Sequence, residues 1–139
     1  MKVFLVEDSL MVRERLRGMV TAIPNIELVG EEDNEVDAMR GICARNPDLV
    51  ILDLNLAMGS GSSNGGKSGS RYGMDVLRQI RQRSIHPLVI VLTNYFNPPY
   101  QKRCMELGAD YFMDKSCELE TLGELLAKLA ADPQPRMCA

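Results

Sequence analysis

Four short apolar runs in this chain stop abruptly at residues that could do chemistry. Val3-Phe4-Leu5-Val6 stops at Glu7-Asp8, and Leu49-Val50-Ile51-Leu52 stops at Asp53. Leu88-Val89-Ile90-Val91-Leu92 stops at Thr93, and Tyr111-Phe112-Met113 stops at Asp114-Lys115. Taken singly, a polar residue after such a run often marks only the chain leaving the core. Taken together, Glu7, Asp8, Asp53, Thr93 and Lys115 make a coherent set if the runs are neighbouring strands ending on one rim. Like charges about 4 Å apart repel by roughly 4 kcal/mol per pair at an effective dielectric near 20. One lysine offsets only part of three carboxylates. A divalent cation preferring hard oxygen ligands would complete neutrality, and Mg²⁺ takes one or two carboxylates, waters and phosphate oxygens. A carboxylate beside Mg²⁺ and an ammonium is a candidate nucleophile towards phosphorus, which assigns that role to Asp53. Thr93 and Lys115 would then hold the oxygens of the transferred phosphoryl group.

The elements that must position these groups follow from periodicity. After the first run, Val12, Leu16, Met19, Val20 and Ile23 recur at helical spacing, with Asp8 or Ser9 as cap and Pro24-Asn25 as stop. A second strand is predicted at Ile26–Val29 and a second helix over Val36–Ala44, ended by Asn46-Pro47. The run Leu49–Leu52 is continuously apolar, as a strand covered on both faces should be. Further helices are predicted over Met74–Arg83, over Gln101–Leu107 with Gly108 as C-cap, and around Leu122, Leu125, Leu126 and Leu129. Strands alternating with helices give an α/β domain, a doubly wound five-stranded parallel sheet flanked by five helices. In that class the site lies beyond the carboxyl ends of the strands, where the charged set sits.

The whole chain narrows the classes further. Its 139 residues suffice for one domain with its own core, and 45% apolar with 25% charged residues is ordinary for a globule. A net charge of −3 leaves no electrostatic footprint for nucleic acid. No apolar run is long enough to span a bilayer, and MKVFLVEDS reads as a strand rather than a signal peptide. Cys43, Cys104, Cys117 and Cys138 are scattered without metal-ligand spacing and are read as reduced thiols of a cytoplasmic protein. The single histidine, His86, precedes Pro87 before the fourth run and is read as a loop residue. The acid run Glu31-Glu32-Asp33-Asn34-Glu35 is read as a solvated loop leading into the second helix. The aromatics of Tyr95-Phe96-Asn97-Pro98-Pro99-Tyr100 are divided between packing and a surface that a partner reads.

The segments "VEDS", "DLVILDLNL", "VLTN" and "GADYFMDKS" together resemble the receiver domain of response regulators in two-component signalling, over nearly the whole chain. The resemblance implies the flavodoxin-like strand order 2-1-3-4-5 for a receiver domain at 1–131, with a tail at 132–139. It implies that Asp53 is the phosphoacceptor and that Glu7, Asp8, Asp53 and the backbone carbonyl of Asn55 bind Mg²⁺. Thr93 matches the switch hydroxyl and Lys115 the invariant lysine. Phe112, three before that lysine, matches the aromatic that turns inward on switching. Such a domain takes its phosphoryl group from a histidine kinase or a histidine phosphotransfer protein. It is a signalling phosphoacceptor rather than an enzyme with a separate substrate, and it catalyses its own phosphorylation and dephosphorylation. Its output would be a helix 4/strand 5 surface read by a downstream protein, with no nucleic-acid or membrane contact. A stand-alone receiver that signals by protein contact or relays the phosphoryl group is expected, since no output domain follows in this sequence, with a domain excised from a longer protein as the alternative. One departure is Ser116, where the family commonly has a cis proline. A non-proline cis bond costs about 2.5–4 kcal/mol, so a trans bond is expected, with Ser116 free to cap the last helix.

The other departure is the stretch from 59 to 70, which holds five Gly, five Ser, Asn64 and Lys67. Within it, residues 61–68 satisfy the phosphate-loop pattern G-x-x-x-x-G-K-[ST]. A phosphate loop runs straight from a strand into a helix whose first turn holds the phosphate. This one begins several residues beyond the strand and continues into Gly69-Ser70. Removing residues 59–70 leaves "LDLNLAMRYGMDVLRQIR", which restores ordinary receiver spacing from Asp53 to Gly73. The stretch is therefore expected to be a Gly/Ser-rich insertion rather than a nucleotide site. A haloacid-dehalogenase-like phosphatase would also use a strand-end Asp, a Thr, a Lys and Mg²⁺. It would need a second Asp two positions after the nucleophile, where this chain has Asn55.

Overall fold

A computed structural model describes residues 1–54, 72–83, 85–93, 98–115 and 119–131. In chain order the elements are β1 (Lys2–Val6), α1 (Leu10–Thr21), β2 (Glu27–Glu32), α2 (Glu35–Arg45) and β3 (Leu49–Asp53). They continue with α3 (Tyr72–Gln82), β4 (Leu88–Thr93), α4 (Pro98–Glu106), β5 (Tyr111–Asp114) and α5 (Leu119–Ala131). The five strands form one sheet in the order β2-β1-β3-β4-β5, and every pairing is parallel. This is the doubly wound, flavodoxin-like architecture that the sequence predicts.

Strand alternation divides the core in two. Val50 and Leu52 of β3 point with Val89 and Val91 of β4 into a layer closed by α2 and α3 through Ile42, Leu77 and Ile80. Leu49 and Ile51 point with Ile90 and Leu92 into a second layer, closed by α1 and α5 through Leu16, Val20, Leu122 and Leu126. The central strands β3 and β4 are buried on both faces, which is why they read as unbroken apolar runs.

The helix ends are set by identifiable residues. Ser9 caps α1 by accepting the Val12 amide at 3.3 Å, and Asn34 caps α2 by accepting the Asp37 amide at 2.9 Å. Asn46 ends α2 in the left-handed region at φ 52°. α4 starts earlier than its apolar spacing predicts, because Pro98 and Pro99 fit a first turn that needs no amide donors. It ends at Gly108, φ 105°. There the Gly108 amide bonds Met105 O and the Ala109 amide bonds Cys104 O, both at 3.0 Å, the paired bonds of a Schellman ending. Cys104 packs in the core, where burial pushes its thiol up to about 11. Like the exposed Cys43 it is a free thiol.

The second strand differs from expectation. It runs to Glu32, so Glu31 and Glu32 belong to the sheet and not to a solvated loop. The reason is tertiary: Arg13 and Arg17 of α1 both bond the Glu31 carboxylate, and the Glu32 carbonyl accepts the Glu7 amide at 3.0 Å.

At the junction of β3 and α3, Gly73 lies directly against the strand end. Its amide bonds Leu54 O at 3.2 Å, and a Cβ on it would come within 2.5 Å of Asp53 O and 2.6 Å of Leu54 Cα. Those contacts are backbone and cannot swing aside. Gly73→Ala should therefore destabilise the domain by about 1–3 kcal/mol, the usual cost of overpacking, and lower its urea midpoint. An unchanged midpoint would mean that α3 does not start against β3.

Candidate functional site

Register brings the strand-end residues together. Val6 pairs with Leu52, Asp53 with Leu92, and Thr93 with Asp114. One residue further, Glu7 stands beside Asp53, and Lys115 follows the last pair of β4 and β5. Alternation sorts the side chains. Glu7, Asp53 and Lys115 continue the α1/α5 face of the sheet, whereas Thr93 and Phe112 continue the α3/α4 face. Phe112 is half-buried and packs with Tyr100 of α4 and Leu107 against the α2/α3 core layer. Because Thr93 pairs with Asp114, Phe112 is its diagonal neighbour on the same face.

The charged groups are withdrawn from water: Glu7, Asp53 and Thr93 are 0%, 1% and 0% exposed, and Lys115 is 8% exposed. The Lys115 ammonium lies 3.0 Å from Glu7 Oε1, donates to Glu7 Oε2 at 3.1 Å, and lies 3.3 Å from Asp53 Oδ1. Burial pulls the lysine's pKa down, but the charges of Asp53 and Glu7 together outweigh it, so the net direction is upward. A lysine raised in the folded state stabilises fully below its ordinary value near 10.5, and that stabilisation is lost only as pH rises through the higher folded value. At neutral pH the ammonium is therefore a permanent tie.

Asp8 is exposed at the mouth of this cluster. Glu7, Asp8 and Asp53 each present one carboxylate oxygen within 4.8 Å of the others, the one such group of three among the described residues. Glu7 Oε1 is buried without a hydrogen bond. A buried carboxylate oxygen with spare capacity, two further carboxylates and hard-oxygen chemistry fit a divalent cation such as Mg²⁺. Asn55 and Ser116 lie outside the described residues, as do Tyr95, Phe96 and the stretch 59–70 with its 61–68 phosphate-loop pattern. His86 is exposed just before β4, at the opposite end of the sheet from the rim.

Sequence reasoning missed the groups behind the acid pair. Arg13 donates to the Glu7 carbonyl at 2.9 Å and to Glu31 Oε1 at 3.1 Å. Arg17 grips the same carboxylate at 2.6 and 2.8 Å. The available signal was the i,i+4 spacing of two arginines on a helix that faces an acid-ended strand.

Sheet order, register and an acidic rim with a buried lysine define a doubly wound domain whose charged groups converge at the carboxyl ends of its strands. A model of the response regulator receiver domain family matches residues 3–127, and the chain belongs to that family. It is similar to the transcriptional regulatory protein YdfI of Bacillus subtilis, 29% identical over 121 residues, covering 87% of this chain and 51% of YdfI. It is also similar to the nitrate/nitrite response regulator NarL of Escherichia coli, 25% identical, covering 93% of this chain and 54% of NarL. The chain thus spans about half the length of the curated relatives it matches. Among solved structures, a LuxR-family DNA-binding response regulator from Staphylococcus aureus superposes with TM-score 0.76 at 26% identity, covering 93% of this chain and 98% of that one. The signal receiver domain of NarL from Mycobacterium tuberculosis shares the fold, with TM-score 0.77 at 20% identity over 94% of this chain and 96% of that one. Membership of this family sets aside the dehalogenase-like reading.

Removing the ammonium tests the electrostatics. Lys115→Met leaves two buried carboxylates uncompensated, and breaking a buried pair costs about 3–5 kcal/mol. Urea denaturation of the parent and the variant at neutral pH checks it, and an unchanged midpoint would mean that the ammonium does not compensate the buried carboxylates.

Proposed function

We propose that this chain is a phosphoacceptor receiver in which Asp53 takes a phosphoryl group from a phosphohistidine of a histidine kinase or a histidine phosphotransfer protein. The observation that carries this reading is the buried Lys115 ammonium between Glu7 and Asp53, with Asp8 completing three convergent carboxylates. Glu7, Asp8, Asp53 and the backbone carbonyl of Asn55 would hold Mg²⁺. When bound there, the ion offsets the carboxylate charge and polarises phosphoryl oxygens.

A carboxylate oxygen of Asp53 forms the bond to phosphorus as the phosphorus–nitrogen bond of the donor breaks. The imidazole nitrogen leaves with the electron pair and is protonated from solvent. Lys115, already tied to Asp53, meets the new negative charge on one side, and the Thr93 hydroxyl donates to a phosphoryl oxygen from the other face of the sheet. Movement of Thr93 is felt by Phe112, its diagonal neighbour, and thence by the α4/β5 surface, where a downstream protein binds. The same pocket returns Asp53 to the free carboxylate by hydrolysis, so the protein times its own signal without being an enzyme towards a separate substrate. The net charge of −3 supports output through protein contact rather than nucleic acid. No described helix is long and apolar enough to cross a membrane, which agrees with a cytoplasmic site of action.

Acetyl phosphate or phosphoramidate with Mg²⁺ should add one phosphoryl group, read by intact mass, and Asp53→Asn should add none. Labelling of that variant to the parent's extent would sink the assignment.

Residues 59–70 belong to this reading as an insertion in an otherwise ordinary receiver. Deleting them should leave Asp53 phosphorylation intact, and shortening the loop from about twenty residues to about eight should gain only roughly 0.8 kcal/mol. Lys67→Ala should change nothing. Calorimetry with Mg²⁺-ATP on the parent and on Lys67→Ala is the sharper check: binding in the parent that disappears in the variant would make 61–68 a nucleotide site.

A further inference from the structure

We infer that Arg13 is a positioning residue for the acid pair: by holding the Glu7 carbonyl against β2 it sets where Asp8 presents its carboxylate. This rests on the reading of Glu7 and Asp8 as cation ligands and goes beyond it by naming what places them. Asp8 is exposed, and among the described residues no hydrogen bond or ion pair holds its side chain. Its position must come from the backbone on either side.

That backbone is fixed at four points. The Glu7 amide bonds Glu32 O at 3.0 Å, and the Glu7 carbonyl accepts Arg13 Nη1 at 2.9 Å. The Glu7 side chain accepts Lys115 at 3.1 Å and the Ser9 amide at 3.1 Å. Two of these anchors hold Glu7 itself, to β2 and to the lysine. The other two hold the peptide groups on either side of Asp8: the Ser9 amide is held by the Glu7 carboxylate, and the Glu7 carbonyl, whose carbon is joined to the Asp8 nitrogen, is held by Arg13. The guanidinium can hold it because its Nε is bonded at 3.1 Å to Glu31 Oε1, and Glu31 is in turn gripped by Arg17. A planar fork with two donors at a fixed angle meets both acceptors at once, which a lysine ammonium on a flexible stem does not reproduce. The Arg13 side chain is only 16% exposed, so its place is not a surface accident. Groups behind cation ligands orient them, and their loss costs roughly ten-fold to a hundred-fold in affinity.

Arg17 supplies the control. It bonds the same carboxylate and ties α1 to β2, but it has no bond to Glu7. Three variants of the full chain, Arg13→Met, Arg17→Met and Asp8→Asn, are titrated with Mg²⁺ by calorimetry, and amide hydrogen exchange at Asp8 and Ser9 is followed without metal. Arg13→Met should bind Mg²⁺ about ten-fold more weakly and exchange faster at Asp8 and Ser9. Arg17→Met should lose comparable thermal stability with both readouts near the parent's. The inference is overturned if Arg13→Met matches the parent in either readout, or if Arg17→Met shows the same changes. Asp8→Asn separates the layers: parent-like Mg²⁺ binding there removes Asp8 from the ligands and defeats the metal reading, while exchange at Asp8 and Ser9 still decides what Arg13 holds.

Discussion

The tie between Lys115 and the carboxylates of Glu7 and Asp53 is the constraint on which the site depends. Each of these charges, alone on a dry rim, would be costly to bury. Together they compensate, provided the three backbones meet within hydrogen-bonding reach. Such a meeting needs β1, β3 and β5 to end at one level, which the one-to-one register of β1 on β3, β3 on β4 and β4 on β5 secures. A one-residue slip in any pairing would turn a charged side chain into the opposite core layer. The apolar register and the charged rim therefore enforce each other: the core sets the strand levels, and the rim penalises the alternatives.

The same alternation separates two tasks. Glu7, Asp53 and Lys115 extend the α1/α5 face, and Thr93 and Phe112 extend the α3/α4 face. A group bound between them at the rim would be touched from both sides, with charge compensation from one and a hydroxyl from the other. Phe112 packs beside Tyr100 and Leu107, so the hydroxyl side is the one continuous with the surface of α4 and β5. A change in what Thr93 bonds thus has a short route to the outside, whereas a change at Glu7 meets the fully packed α1/α5 layer. This asymmetry supports output from the α4/β5 side.

Much of this was legible because central strands of a doubly wound sheet are short, apolar and abruptly ended. Asp53 and Thr93 announce themselves by terminating runs with no other polar residue. What was hidden depended on partners distant in sequence. Glu31 and Glu32 have poor strand propensity, and only Arg13, Arg17 and the Glu7 amide explain why β2 continues through them. The three neighbouring acids also part company in their ionisation. Glu31 is held below the usual carboxylate range chiefly by its hydrogen bond from Arg17, so it stabilises the fold above pH 4.5 and that contribution is lost on acidification. Glu32 is raised by burial and by Asp37 and Asp33, and Glu35 by burial and Asp75. Their contribution has the opposite sign, present at low pH and lost as pH rises through the folded value. A run of like letters thus holds one ion-paired anchor and two reluctant anions, a distinction no propensity scale contains.

The phosphate-loop pattern at 61–68 lies outside the described residues, but the ends of β3 and α3 that flank it bear on how it is read. A phosphate loop works because a strand delivers the chain to a helix whose first amides face an anion. At the end of β3 one first-turn amide of α3, that of Gly73, is already committed. The Leu54 amide bonds Leu92 O at 3.0 Å, and Leu54 O accepts the Gly73 amide in the first turn of α3. Gly73 sits so close to Asp53 O and Leu54 Cα that no side chain fits between strand and helix. The chain leaves β3 and returns to α3 at nearly the same point, whatever length lies between. A loop with closed ends can lengthen at small entropic cost, since each doubling adds only about 0.6 kcal/mol. That geometry favours reading the Gly/Ser stretch as an insertion tolerated beside the rim, and its lysine as one more letter in a tract where the pattern is cheaply met.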